Sequence, residues 1–217
     1  MSLRYFLCLA NSQKYQERCI AGVEVEKSGN IFRILKSESR VKWLRPITDS
    51  EFGAIPNHIA SRFNLMDVVE IFVTKESPRS YQSENVLFEE QSLKRIAQLT
   101  PSHELMQVII EQDETNLFGN RGKAVSKEHI SSVTRSLMLI KPKSVSFRKK
   151  MTEKSSEQIR ANFLFGNHSY DLPVTDPMFC ERFKKHGLIR DNIYLTISLG
   201  LEHNGWHSKL VAGVIDF

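Results

Sequence analysis

The residues best placed to do chemistry are cations. Residues 121–160 hold eleven lysines and arginines, Arg148, Lys149 and Lys150 among them, against Glu128, Glu153 and Glu157, a local net charge of +8. The whole chain carries only +5, so everything outside that segment nets about −3. Concentrated positive charge of this kind suits a phosphate backbone, where each contact releases counterions. The plainer alternative is a solvated set of charges protecting an edge strand.

A second group is polar. Asn11, Ser12, Gln13 and Lys14 leave one apolar stretch, and Tyr15 and Arg18 lead into the next, a loop dense in hydrogen-bond donors. Aromatic rings test whether such cations serve nucleic acid, because single strands are held by rings set among basic groups. Tyr15 lies near Lys14 and Arg18, and Trp43 lies between Lys42 and Arg45. With a period of two, Trp43 and Arg45 share one strand face, as an exposed platform or as core near a strand end. Phe147, Phe163 and Phe165 are expected in the core, since they alternate with polar neighbours.

Other chemistries find little support. The commonest hydrolase and nucleotide fingerprints, G-x-S-x-G, G-x-G-x-x-G and the P-loop, do not occur. His203 and His207 are four apart, but Gly205 sits between them in a turn context, so no metal and no cofactor is expected. Cys19 adjoins Arg18, yet a strand cysteine is more often a small hydrophobe. Asp176 could be read as catalytic, but capping a helix already accounts for it and for Pro177.

The elements that must position these groups are mostly strands. Strands are expected over 3–10, 18–25, 31–35, 41–45 and 66–74, a density that suits a small Greek-key barrel. The spacing of Leu93, Ile96 and Ala97, then of Leu105, Val108 and Ile109, predicts two short helices within 89–112, or one helix and a helical connector, with Thr100 as cap between them and Pro101 at the first helical position. Residues 116–127 are polar, carry Gly119 and Gly122, and are expected as a linker. Strands follow over 133–140, 144–150, 158–165 and 169–174, then a helix from Asp176 to Gly187, then strands over 193–199 and 206–217. One phrase occurs twice, Arg18 to Val23 and Lys209 to Val214, each reading basic, any, β-branched, Ala, Gly, Val. These copies are expected to be neighbouring strands, each glycine permitting a bulge or a close approach.

The ordered phrases CLANSQK, RCIAGVEV, WLRPI, LMDVVEI, YDLPVTDP and KLVAGVI, spanning Cys8 to Ile215, resemble a prokaryotic family of dual OB-containing domains. The resemblance implies a mainly β fold with a few short helices, two consecutive OB-like small β-barrels joined by a helical connector. Residues 1–115 would form the first barrel and connector, and 128–217 the second. It also implies binding of nucleic acid or nucleotides, in settings linked to defence against mobile elements. Where the family pattern has a glycine before the Arg-Cys pair, this chain has Glu17, so no glycine-dependent approach of a ligand is carried over. No catalytic residues are implied.

The expected function is therefore binding of single-stranded DNA or RNA, or of its backbone, through Asn11, Lys14, Tyr15, Arg18, Trp43, Arg45, Arg148, Lys149 and Lys150. One alternative is an adaptor that docks a nuclease or helicase partner through sheet edges. Another is a nucleotide sensor or enzyme using the Asn11–Arg18 loop. Three scattered cysteines and no apolar run long enough for a membrane span point to a cytoplasmic protein.

Overall fold

The computed structural model describes residues 1–14, 17–38, 40–50, 52–110, 115–152, 155–187 and 189–217, with Lys14 described by its backbone alone. The chain forms two compact units, Met1–Ile109 and Ile110–Phe217.

In the first unit the strands are β1 (Ser2–Lys14), β2 (Glu17–Ser28), β3 (Ile31–Ile34), β4 (Lys36–Ser37), β5 (Arg40–Val41) and β6 (Trp43–Ile47). Helix α1 (Asn57–Ala60) precedes β7 (Asp67–Glu76), β8 (Asn85–Phe88), β9 (Lys94–Gln98) and helix α2 (His103–Ile109). Among the described residues, β1, β2, β6, β8 and β7 pair in that order, and β7 pairs back with β1 to close a five-strand barrel. Its third and fifth strands, β6 and β8, are parallel, and α1 lies between the third and fourth. This is the Greek-key ring of an OB-fold, now traced strand by strand.

Phe6 to Ala10 and Ile20 to Val25, Gly22 among them, are buried as continuous runs rather than in alternation, the pattern of strands covered on both faces. Phe6, Ile20, Leu44, Ile55, Val69 and Ile71 meet in one core cluster, each completely enclosed. Burying such a side chain is worth roughly 1.5–3 kcal/mol. Gly22 stands opposite Cys8, where the β1–β2 ladder slips and leaves Leu9 as the extra residue. A Cβ on Gly22 would fall 1.9 Å from the carbonyl oxygen of Leu7. The expected close approach is real here.

Two expectations in this unit fail. The first predicted helix is instead β9, which pairs with β7. The apolar spacing of Leu93, Ile96 and Ala97 is too short to separate helix from strand, and ladder pairing with β7 decides it. The second helix begins at His103, not Pro101, because Ser102 Oγ accepts the N–H of Leu105 at 3.2 Å. Thr100, preceding a proline, is biased towards extended backbone.

The second unit contains β10 (Ala124–Ser126), β11 (Leu137–Ile140), β12 (Ser144–Met151), β13 (Glu157–Phe165), β14 (His168–Pro173), α3 (Pro177–His186), β15 (Ile193–His203) and β16 (Trp206–Asp216). It is a looser version of the same ring, a half-barrel. One sheet runs β12-β13-β14 and the other β10-β16-β15-β11. A parallel bridge between Val174 and Val211 links the end of β14 to β16, and β11 leads into β12 across 141–143. Helix α3 has the caps read from sequence. Asp176 Oδ1 accepts the N–H of Phe179 at 3.0 Å, and Gly187 closes the helix at a φ of 63°. Asn204 and Gly205, both at positive φ, turn β15 into β16.

The segment expected as a linker is built into this unit. Leu117 and Phe118 are buried, and the Leu117 N–H donates to the Tyr170 hydroxyl at 3.1 Å. The repeated phrase does not pair with itself: Gly22 lies in the sheet of β1 and β2, and Gly213 in that of β15 and β16. Each copy does sit at a bulge, with Ala212 the extra residue beside Gly213. In the first copy the extra residue is Leu9 on the partner strand and in the second it is Ala212 of the copy itself, so the echo is not a joining of chain ends.

Candidate nucleic-acid interface

In the first barrel, the Asn11–Arg18 stretch is the hairpin between the first two strands. Asn11 is buried, and its Nδ2 donates to the carbonyl oxygens of Ala60 at 2.9 Å and Phe63 at 2.7 Å. Arg18 Nε donates to Asn57 Oδ1 at 2.8 Å and Nη1 to Asn11 Oδ1 at 3.4 Å, while its backbone pairs with Ile55. The fold thus brings Asn11 and Arg18 together, as braces for the α1 segment. Tyr15 lies outside the described residues. Lys14 pairs with Glu17 through the β1–β2 ladder.

Trp43 and Arg45 are corrected from exposed candidates to core, at 8% and 6% exposure. Every residue of β6 is buried; β6 is flanked by β2 and β8, and the Arg45 N–H donates to the Glu84 carbonyl at 2.8 Å. Arg45 Nη2 lies 3.2 Å from Glu84 Oε1, and that carboxylate is buried as well. Trp43 Nε1 finds no acceptor among the described residues. Neither side chain offers a surface to a ligand in this conformation.

In the second barrel the basic residues divide by face. Arg148 stands directly opposite Arg160 in the β12–β13 ladder, and both reach Asp171 on β14, Arg148 Nη2 at 3.0 Å and Arg160 Nε at 3.0 Å. Burial opposes the charged form of Asp171, and the hydrogen bonds and charges of Arg160 and Arg148 outweigh it, holding its carboxyl below the usual range. Lys149 falls on the other face, 3.8 Å from Glu157, which also takes Lys184 at 3.2 Å. Lys150 is exposed and by alternation shares the Arg148 side. That face therefore carries Arg148, Lys150 and Arg160 against Asp171. Phe147, half-buried, packs on α3, 4.5 Å from Phe179 between ring centres, while Phe163, buried as expected of a core ring, stacks on Tyr170 at 5.5 Å.

Sequence reading missed Trp206. It opens β16 directly after the Asn204-Gly205 turn and is 53% exposed. The signal was available: a residue adjoining a two-residue hairpin turn sits at the tip, where neighbours cannot cover it. OB-folds bind oligonucleotides on the face of their second and third strands, flanked by the loops joining strands one to two and four to five. In this unit those elements are β13, β14, the loop after β12 and the β15–β16 turn. Arg160 lies on β13 and Asp171 on β14, Lys150 lies near the end of β12, and Trp206 directly follows the β15–β16 turn.

Among the described residues, no group of three or more His, Cys, Asp or Glu is placed to hold a metal ion, and no helix is long and apolar enough to cross a membrane. The sequence pattern of the dual OB-containing domain matches residues 4–214. No curated protein sequence matches the chain. Among solved structures, the crystal structure of the tetrameric p202 HIN2 aligns with 100% of this chain and 92% of its own, at 7% identity and a TM-score of 0.31. That likeness is too distant to carry an argument.

Proposed function

Because the chain belongs to the dual OB-containing domain family, we propose that it binds nucleic acid, as single-stranded DNA or RNA, on the outer face of the β12-β13-β14 sheet. The observation that carries this reading is the Arg148–Asp171–Arg160 cluster. A single carboxylate orients two guanidinium groups and leaves net positive charge beside Lys150. Arginine held in a fixed orientation loses less entropy on meeting a phosphate than a free lysine does. Trp206 supplies a ring at the hairpin tip, on which a base can stack. The chain is a binding module in this reading, not an enzyme.

Fluorescence anisotropy with a labelled single-stranded oligonucleotide tests the proposal. Three phosphate contacts imply a fall in affinity of roughly 20-fold between 50 and 200 mM salt. No binding at low salt, or salt-independent binding, overturns it. Co-purification of a protein partner together with indifference to nucleic acid would favour the adaptor role instead.

A further inference from the structure

A cleft of about 350 Å³ in the first unit is lined by Arg62, Phe63, Leu93, Lys94 and Arg95. The three cations come from two separate stretches of chain, the turn after α1 and the start of β9. All three are exposed, whereas Phe63 and Leu93 beneath them are 2% and 3% exposed and form an apolar floor. Arg62 lies with its guanidinium carbon 5.8 Å from the centre of the Phe63 ring.

Local structure explains the convergence. Successive strand residues normally point to opposite faces. Lys94 and Arg95 nonetheless both line the cleft, from the first two positions of the edge strand β9, and the ladder with β7 slips just beyond them, leaving Ile96 as the extra residue. Asn11 holds the carbonyl oxygens of Ala60 and Phe63, which lie on either side of Arg62 in the chain, and so fixes the backbone carrying it. The residue singled out from sequence as a ligand contact thus serves as a brace for this wall.

Among the described residues, no carboxylate lines the cleft. Glu70 faces Lys94 across the ladder, and Asp67, fully buried with Oδ2 accepting the Asn64 N–H at 2.8 Å, lies within reach of the Arg95 charge. Three like charges around one opening repel one another, and a bound anion relieves that repulsion. Two guanidinium groups offer forked donors that match phosphate oxygens. The volume falls at the lower end of small-molecule sites.

We propose that this cleft binds the phosphate group of a nucleotide-sized ligand, as a site separate from the sheet face of the second unit. Calorimetric titration of the full chain with pyrophosphate, with ATP and with adenosine tests it. Pyrophosphate and ATP are expected to bind and adenosine not. The double variant Arg62→Gln/Arg95→Gln is expected to weaken both at least tenfold with an unchanged unfolding midpoint, since both side chains are exposed. No binding of either phosphate at low salt, or equal binding by the variant, overturns the site. Competition then identifies the source of the phosphate. Displacement of ATP by a 5′-phosphorylated but not a 5′-hydroxyl decathymidylate points to a strand end, and displacement by neither points to a free nucleotide; both outcomes support the site. Equal displacement by the two strands means a general polyanion surface and overturns it.

Discussion

Lys209 Nζ donates to the backbone oxygen of Asn120 at 2.6 Å, from a side chain with no exposed surface. The ammonium also lies 5.4 Å from the centre of the Tyr170 ring, and the Tyr170 hydroxyl donates to the same Asn120 oxygen at 3.3 Å. A buried cation therefore pins the segment around Asn120 to the second barrel through that residue's oxygens.

Burial pushes the Lys209 pKa down from 10.5 to about 8. Between pH 8 and 10 the unfolded chain holds this proton more often than the folded one, so the Lys209 contribution to stability rises with pH. Relative to Lys209→Met, the wild type is expected to gain about 1–3 kcal/mol over that range, read from urea unfolding at each pH. Cys180 acts in the opposite sense, because burial and then the Asp176 charge raise its thiol to about 12, so its contribution falls as pH passes 9. Both proteins share that cysteine, so their difference isolates the lysine. A flat difference would refute the assignment.

Arg45→Met is expected to cost about 3–5 kcal/mol, since it strips the buried Glu84 carboxylate of its cation. Adding Glu84→Leu should recover most of that loss. Trp43 belongs to the first unit and Trp206 to the second, so fluorescence in a Trp206→Phe background follows unfolding of the first unit alone.

Gly22→Ala places a methyl carbon where the Leu7 carbonyl oxygen stands 1.9 Å away. Two paired backbones must then separate. A loss of about 3 kcal/mol or more is expected from the shift in the first unit's unfolding midpoint.

Asp176→Ala removes acceptors from the N–H groups of both Phe179 and Val214. One belongs to the cap of α3 and the other to β16, so helix and strand lose their common fastening. The expected cost is about 2–4 kcal/mol in urea unfolding of the second unit, with Asp176→Asn, which retains an acceptor, closer to 1.

Trp206→Ala is expected to weaken single-strand binding by about 1–3 kcal/mol, with Trp206→Phe nearer the wild type. Arg148→Ala should instead lower the salt slope by about 0.7, the share of one phosphate contact. Anisotropy across a salt series separates the two effects.

The amino-acid order by itself determined what local chemistry controls. Alternation and turn residues placed most strands, and Asp176, Pro177 and Gly187 set both ends of α3, because caps and turns depend on residues within one or two turns of chain. The order of short phrases also carried the family. Tertiary structure decided everything that depends on what covers a side chain. Trp43 and Arg45 sit in a strand that reads as half exposed, yet it lies between β2 and β8 and Arg45 meets the buried Glu84. Residues 94–98 have helical spacing, yet pairing with β7 makes them a strand. Arg62 and Arg95 have nothing in their sequence neighbourhoods to single them out, and only the pairing of β9 with β7 and the turn after α1 bring them to one cleft. Burial and convergence are relations between distant parts of the chain, so no local pattern could have encoded them.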